Sequence, residues 1–255
     1  MADAVVLSGG GIKGIGQLGA LHYCFEKGYL DLAKVKVYAG TSIGSIIALL
    51  LICGFEPIEI FSEVYKKESF FKMGDIKGIW DLLKDFGLMS IAPLIDEIKK
   101  LVLKKYDKVP TLLELYQLTG KTFIVTASNV TKTRAEYFSH LTNPHLSCIN
   151  AVEMSANLPV VFQRLRYNDC YYVDGGLVDN FPLRQVDTKT NKSLGIVTIG
   201  LDNSADDEGI FAYFYRLMIM PINMITELRR DVAGPNATII SMNFDNIPLL
   251  NFDVT

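Results

Sequence analysis

Val35-Lys36-Val37-Tyr38-Ala39-Gly40-Thr41-Ser42-Ile43-Gly44 is the stretch of this chain that decides the fold. A β-type run, Val35 to Ala39, enters Gly40-Thr41-Ser42-Ile43-Gly44, and an apolar helical run, Ile43 to Cys53, leaves it. A G-x-S-x-G nucleophile elbow needs that setting, because the glycines permit a sharp strand-to-helix turn that lifts the serine hydroxyl above the sheet at a helix N-terminus. Ser42 is the first candidate nucleophile. The five-residue pattern also arises by accident in Gly/Ser-rich loops, so its flanks carry the weight. Ile46 to Cys53, the longest apolar run, is far shorter than the roughly 20 residues of a membrane span and reads as a buried helix behind Ser42.

A second glycine cluster stands upstream, where Val5-Val6-Leu7 runs into Ser8-Gly9-Gly10-Gly11-Ile12-Lys13-Gly14 and then a helical stretch, Ile15 to Glu26. Consecutive glycines leave backbone N–H groups unobstructed, and the helix dipole behind them adds positive potential, which makes an anion site. Gly9, Gly11 and Gly14 also satisfy G-x-G-x-x-G. A dinucleotide site, however, needs an acidic residue at the end of the second strand, and that strand ends in Gly40-Thr41-Ser42. A Walker loop fails because Ile15 follows Gly14 where Lys and then Ser or Thr are needed. What remains is a loop whose Gly9, Gly10 and Gly11 amides can hold the oxyanion of a tetrahedral intermediate.

A serine nucleophile needs a base. His22, His140 and His145 are the chain's histidines, and none follows position 145, so the α/β-hydrolase order of serine, acid and then histidine is impossible. All three read as surface or packing residues. A carboxylate becomes the candidate: Tyr171-Tyr172-Val173-Asp174-Gly175-Gly176 is a short aromatic strand that delivers Asp174 into a Gly-Gly turn. Alone, the Asp-Gly-Gly turn reads more simply as an Asx-type turn.

Together the three motifs resemble those of the patatin-like phospholipase family. Gly9-Gly10-Gly11-Ile12-Lys13-Gly14 is similar to the family's oxyanion loop, Gly40-Thr41-Ser42-Ile43-Gly44 to its nucleophile elbow, and Asp174-Gly175-Gly176 to its dyad motif, in matching order and separation. Ser155-Ala156-Asn157-Leu158-Pro159-Val160-Val161-Phe162 and Leu177-Val178-Asp179-Asn180-Phe181-Pro182 extend the likeness over roughly residues 4 to 200. Ser8 stands where many members have Asp, and Lys13 where Arg is commoner. The resemblance implies a lipid acyl hydrolase with a Ser42–Asp174 dyad on a patatin-like variant of the α/β-hydrolase architecture. It implies glycerophospholipids as substrate and no metal or other cofactor. A general carboxylesterase or lysophospholipase with the same dyad is the alternative within enzymes. A catalytically silent module binding an anionic lipid or nucleotide is the alternative outside them.

Composition fits this reading. With 255 residues, 49% of them hydrophobic, the chain can bury one α/β core, expected as a single domain over 1–255. Alternating elements predict a mainly parallel central sheet flanked by helices. Strands are expected at 122–127, 136–139, 171–173, 196–201 and 238–242, and helices at 57–67 and 93–104. Cys24, Cys53, Cys148 and Cys170 are too scattered for zinc spacing and suit a reducing, cytoplasmic compartment. Met1-Ala2-Asp3-Ala4 carries neither the basic nor the apolar region of a secretory signal. A net charge of -3 gives no electrostatic case for nucleic acid. Contact with a membrane surface would be transient and peripheral, through the aromatics of 68–90 or the apolar run 211–220; for the latter, a core helix is the favoured reading. Sequence leaves the oligomeric state open.

The histidine argument is directly testable. Replacing His22, His140 and His145 together by Gln should leave most of kcat in folded protein; a loss as deep as that of Ser42→Ala would rule out a carboxylate base.

Overall fold

The computed structural model describes residues 1–65, 87–186, 190–200 and 210–244. Most of the aromatic stretch 68–90 and Leu201 of the strand expected at 196–201 lie outside the described residues. The chain opens with β1 (Ala4–Leu7), a 3-10 turn (Gly11–Lys13) and α1 (Gly14–Glu26), then β2 (Val37–Thr41), α2 (Ile43–Ile52) and α3 (Pro57–Tyr65). The middle holds β3 (Gly87–Met89), α4 (Ala92–Leu103), α5 (Leu112–Thr119), β4 (Thr122–Asn129), β5 (Arg134–Phe138) and α6 (Cys148–Ala156). Then come β6 (Val160–Phe162), β7 (Leu165–Tyr167), β8 (Cys170–Asp174), α7 (Gly176–Asp179), β9 (Ser193–Ile199), α8 (Ile210–Asp231) and β10 (Ala237–Asn243).

The main sheet runs β10-β9-β1-β2-β4-β8-β7, with β5 also on β4, while β3 and β6 form a separate pair. From β10 to β4 every pairing is parallel, and β5, β7 and β8 add an antiparallel side. Parallel strands covered on both faces are apolar throughout. In β1, Val5 and Leu7 face the larger core, whereas Ala4 and Val6 face a smaller one built around Phe181 and Val197. Helix α2 is buried from Gly44 to Ile52, which fits the apolar run behind Ser42. The four cysteines are free and buried.

The register of β4 sets up the site. Residue Thr126 of β4 pairs with Thr41, the last residue of β2, and the next residue, Ala127, pairs with Asp174, the last residue of β8. Because β5 occupies the other edge of β4 across Val125 to Asn129, β2 and β8 share one edge and meet end to end. Ser42 follows Thr41 directly, so two segments 132 positions apart in sequence converge there.

Two expectations need correction. The strand expected at 35–39 lies at Val37–Thr41, because its ladder runs on to the elbow. The run 211–220 belongs to α8, which continues through Pro221 and is only partly a core helix: Ile219 and Ile222 are buried, while Tyr213, Leu217 and Met220 are 62%, 46% and 60% exposed. No helix among the described residues is long and apolar enough to cross a membrane.

The elbow glycines are needed for close approach. A Cβ on Gly44 would lie 2.5 Å from the carbonyl oxygens of Leu7 and Ser8, where only backbone could yield. Gly44→Ala should destabilise by about 3 kcal/mol in denaturant unfolding, the upper end for overpacked positions. Gly19→Ala in α1, where a Cβ meets nothing within 4 Å, should instead be neutral or stabilising by up to about 1 kcal/mol.

Candidate active site

Ser42 occupies the turn between β2 and α2 at φ 54°, ψ −127°, a strained conformation for a residue with a Cβ. Its carbonyl accepts from the Ser45 N–H at 2.9 Å and the Ser45 hydroxyl at 2.7 Å, which starts α2. Its own N–H has left the β2 ladder and donates to Ser155 Oγ at 2.9 Å. Gly40 lets this turn close, since a Cβ there would lie 2.5 Å from the Gly44 carbonyl.

Asp174 is 3% exposed. The Ser42 hydroxyl lies close enough to its carboxylate to favour the charged form, and the Gly176 N–H donates to Oδ1 at 2.7 Å. Its backbone is held on both sides, by N–H donation to the Asn157 carbonyl at 2.9 Å and by the Ser128 hydroxyl on its carbonyl at 2.7 Å. Burial pushes the Asp174 carboxyl up to about 6, against the weaker downward pull of the Ser42 hydroxyl and the Gly176 amide. A carboxylate raised toward neutrality by burial is a better proton acceptor than one at its ordinary value, and a serine hydroxyl on a strained turn stands beside it.

The glycine loop is fixed by β9 and by the turn after α7. Ser8, fully buried, donates to the Gly9 carbonyl at 2.9 Å and receives the Thr198 N–H at 3.0 Å; Thr198 Oγ1 donates to the same carbonyl at 2.8 Å. Gln17 from α1 donates to the Ser8 carbonyl at 2.8 Å. The Gly9 N–H donates to the Asn180 carbonyl at 3.1 Å, so it is already spent. This narrows the expected set of Gly9, Gly10 and Gly11: the amides of Gly10 and Gly11, both half-buried, take no protein acceptor among the described residues. The Lys13 ammonium lies in the interior, 3.4 Å from the Gly200 carbonyl. A Cβ on Gly14 would meet the Ile43 side chain at 2.4 Å, so Gly14 lets the loop's helix lie against the elbow. The first turns of α1 and α2 contain no acidic residue, so both helix N-termini keep their positive field.

The three histidines lie apart from this cluster. His22 sits on α1, His145 is exposed, and His140 stacks on Tyr116 with ring centroids 3.9 Å apart. Sequence reading missed Ser155, Asn157, Asn180 and Thr198 as organisers of the site; Thr198 was visible only as a residue of an expected strand.

The architecture matches that of VipD from Legionella pneumophila, with TM-score 0.58 and 19% identity over 100% of this chain and 63% of that one. The chain is 29% identical to the protein named "Probable lipid hydrolase 463L" of Invertebrate iridescent virus 6, covering 97% of this chain and 84% of the relative. It is 25% identical to the Lysophospholipase NTE1 of Candida glabrata over 83% of its own length but only 11% of that protein. The family description "Patatin-like phospholipase" matches residues 5–187, which include the glycine loop, the elbow and the Asp174 turn. The chain belongs to the patatin-like phospholipase family.

Proposed function

We propose that this chain is a serine acyl hydrolase that cleaves fatty acyl esters of glycerophospholipids, with Ser42 as nucleophile and Asp174 as base. One observation carries the reading: β2 and β8 end side by side on β4, which sets the Ser42 hydroxyl, at a positive-φ elbow, beside a buried carboxylate raised to about 6. Family membership and the relative named a lipid hydrolase support lipid esters as the substrate class. The relative named a lysophospholipase makes single-chain phospholipids the second substrate to assay. In this reading residues 1–255 work as one domain, since β10 closes the same sheet that carries the site.

Turnover follows from the geometry. Asp174 takes the Ser42 Oγ proton as Oγ attacks the ester carbonyl, and the developing oxyanion lies against the amides of Gly10 and Gly11. Collapse expels the lipid alkoxide, which takes the proton from Asp174 and leaves an acyl-serine. Asp174 then deprotonates a water that attacks the acyl carbonyl, and a second collapse returns the proton to Ser42 and releases the fatty acid. Adjacent hydroxyl and carboxylate make an imidazole shuttle unnecessary.

A fluorophosphonate probe should label Ser42, and Ser42→Ala should lose both labelling and hydrolysis of diacyl and lyso phospholipids. Persistence of both would refute the nucleophile. A Cβ on Gly10 would lie 2.3 Å from Thr198 Oγ1, so Gly10→Ala should tilt the loop and lower kcat by about 10²- to 10³-fold with KM little changed.

The charge state of Asp174 yields a coupled prediction. As base it must be ionised, so kcat/KM should rise with pH and level off above an inflection near 6. Its folded pKa lies above the unfolded value, so the fold binds the proton more tightly than the unfolded chain does. Stability from this group is therefore complete below about pH 4 and is lost as pH rises through about 6. Asp174→Asn should be inactive, yet more stable than wild type at pH 8 by on the order of 3 kcal/mol, with the advantage vanishing below about pH 4. Chemical unfolding of both proteins at the two pH values checks this; equal stability at pH 8 would refute the buried, uncompensated carboxylate.

A further inference from the structure

Ser42 lies between two regular elements and belongs fully to neither. The β2 ladder ends at Thr41, and the α2 bonds use the Ser42 carbonyl, not its N–H. A half-buried amide at a positive-φ residue needs an acceptor, and it takes one 113 residues away: Ser155 Oγ, at 2.9 Å. Ser155 is fully buried in the last turn of α6. Its carbonyl accepts the N–H of Gly175, next to Asp174, at 3.1 Å, and two residues on the Asn157 carbonyl accepts the N–H of Asp174 itself at 2.9 Å. One helix end thus grips the backbone of both partners.

We infer that Ser155 is a positioning residue for acyl transfer: its hydroxyl fixes the Ser42 peptide, and its carbonyl the Asp174 turn, so that the Ser42 hydroxyl stays aimed at the Asp174 carboxylate. The inference rests on the assignment of Ser42 as nucleophile. The geometry specifies which atom matters. The carbonyl of residue 155 survives any substitution, so the Gly175 bond persists in every variant, whereas the Ser42 bond depends on the side-chain oxygen alone. Without that oxygen the Ser42 amide has no acceptor, and the peptide preceding the nucleophile is free to rotate about the strained turn. Rotation there swings Cβ and Oγ away from Asp174 while leaving the substrate's surroundings in place. The effect therefore falls on kcat, not on KM.

The test compares Ser155→Ala, which removes the acceptor, with Ser155→Thr, which keeps an oxygen on Cβ, using p-nitrophenyl butyrate as substrate and fluorophosphonate titration to count competent sites. Expected for Ser155→Ala is a kcat per titrated site lower by about 10- to 100-fold, KM within about threefold of wild type, and fluorophosphonate labelling slower by a similar factor but complete. Expected for Ser155→Thr is recovery of most of that loss. If Ser155→Ala fails to fold, Ser155→Cys, close in volume and a far weaker acceptor, takes its place with the same expected loss; if the threonine methyl is not accommodated, hydrogen exchange reads the bond directly. In Ser155→Ala or Ser155→Cys the Ser42 amide should exchange at least about tenfold faster, with neighbouring α2 amides unchanged. A kcat per titrated site within twofold of wild type in Ser155→Ala, a Ser155→Thr that restores slow Ser42 exchange but not kcat, or unchanged Ser42 exchange in Ser155→Ala would each overturn the inference. Ser42→Ala assayed alongside keeps the two proposals apart: hydrolysis surviving there refutes the nucleophile, whereas its loss there with full activity in Ser155→Ala refutes only the positioning role.

Discussion

Residues Thr126 and Ala127 of β4 impose the constraint on which the site depends. One edge of this strand is shared by two others, β2 running parallel up to Thr126 and β8 running antiparallel from Ala127. Because the strands meet end to end, the residues just past their last paired positions must turn away from the sheet at the same place. Ser42 turns into α2 and Gly175 into α7. Main-chain hydrogen bonds, not loop packing, therefore set the separation of hydroxyl and carboxylate. Gly175 is part of the same constraint, because a Cβ there would lie 2.3 Å from the Thr126 carbonyl and force the two strand ends apart.

The remaining parts of the site attach to this junction through backbone groups. Asn180, five residues after Gly175, accepts the Gly9 N–H with its carbonyl while its side-chain amide donates to Thr226 of α8 at 3.0 Å. Thr41, the last ladder residue before the elbow, donates its hydroxyl to the Asp179 carbonyl at 2.9 Å. Elbow and glycine loop are thus each tied to the turn that follows Asp174, so moving that turn displaces both. This arrangement leaves the Gly10 and Gly11 amides without a protein acceptor among the described residues. Preorganised donors of this kind stabilise developing charge without a reorganisation cost at the moment of reaction.

Much of this was legible in the sequence wherever the signal is local. The elbow, the glycine loop and the Asp174 turn each carry a short pattern, and α1, α2, α4 and most sheet strands follow their apolar runs. Helix α5 went unread although its signal is present: Thr111 and Glu114 form a reciprocal capping box, with the Thr111 N–H donating to Glu114 at 2.8 Å and the Glu114 N–H to Thr111 at 3.2 Å. Helix α6 is rich in small and polar residues, with Asn150 and Ser155 inside it, and so has little helical period to read. Strands β6 and β7 are three residues each, below the length at which alternation is detectable. Ser155 illustrates a harder limit. Its hydroxyl partner lies 113 positions away, and a side chain bonding to a distant main-chain amide leaves no periodic trace. The spent Gly9 amide is invisible for the same reason, because its acceptor is the carbonyl of a residue in another motif.

Two aspartates five residues apart show how environment divides chemistry from structure. Asp174 and Asp179 are both buried and both pushed upward by burial. Asp179 is given compensation: the Tyr137 hydroxyl donates to Oδ2 at 2.8 Å, and the Arg229 guanidinium of α8 lies 3.3 Å from Oδ1. The tyrosine and the arginine both favour the charged form of Asp179 against burial, and the ion pair ties α8 to the turn. Among the described residues, the Asp174 carboxylate accepts the Gly176 N–H, has the Ser42 hydroxyl beside it and pairs with no cation. A cation beside it would favour the charged form, lower its pKa and make it a poor acceptor for a serine proton. Withholding that cation leaves Asp174 a stronger base and makes its ionised form a cost to the fold, so the same uncompensated burial underlies both the proposed reactivity and the expected instability at alkaline pH.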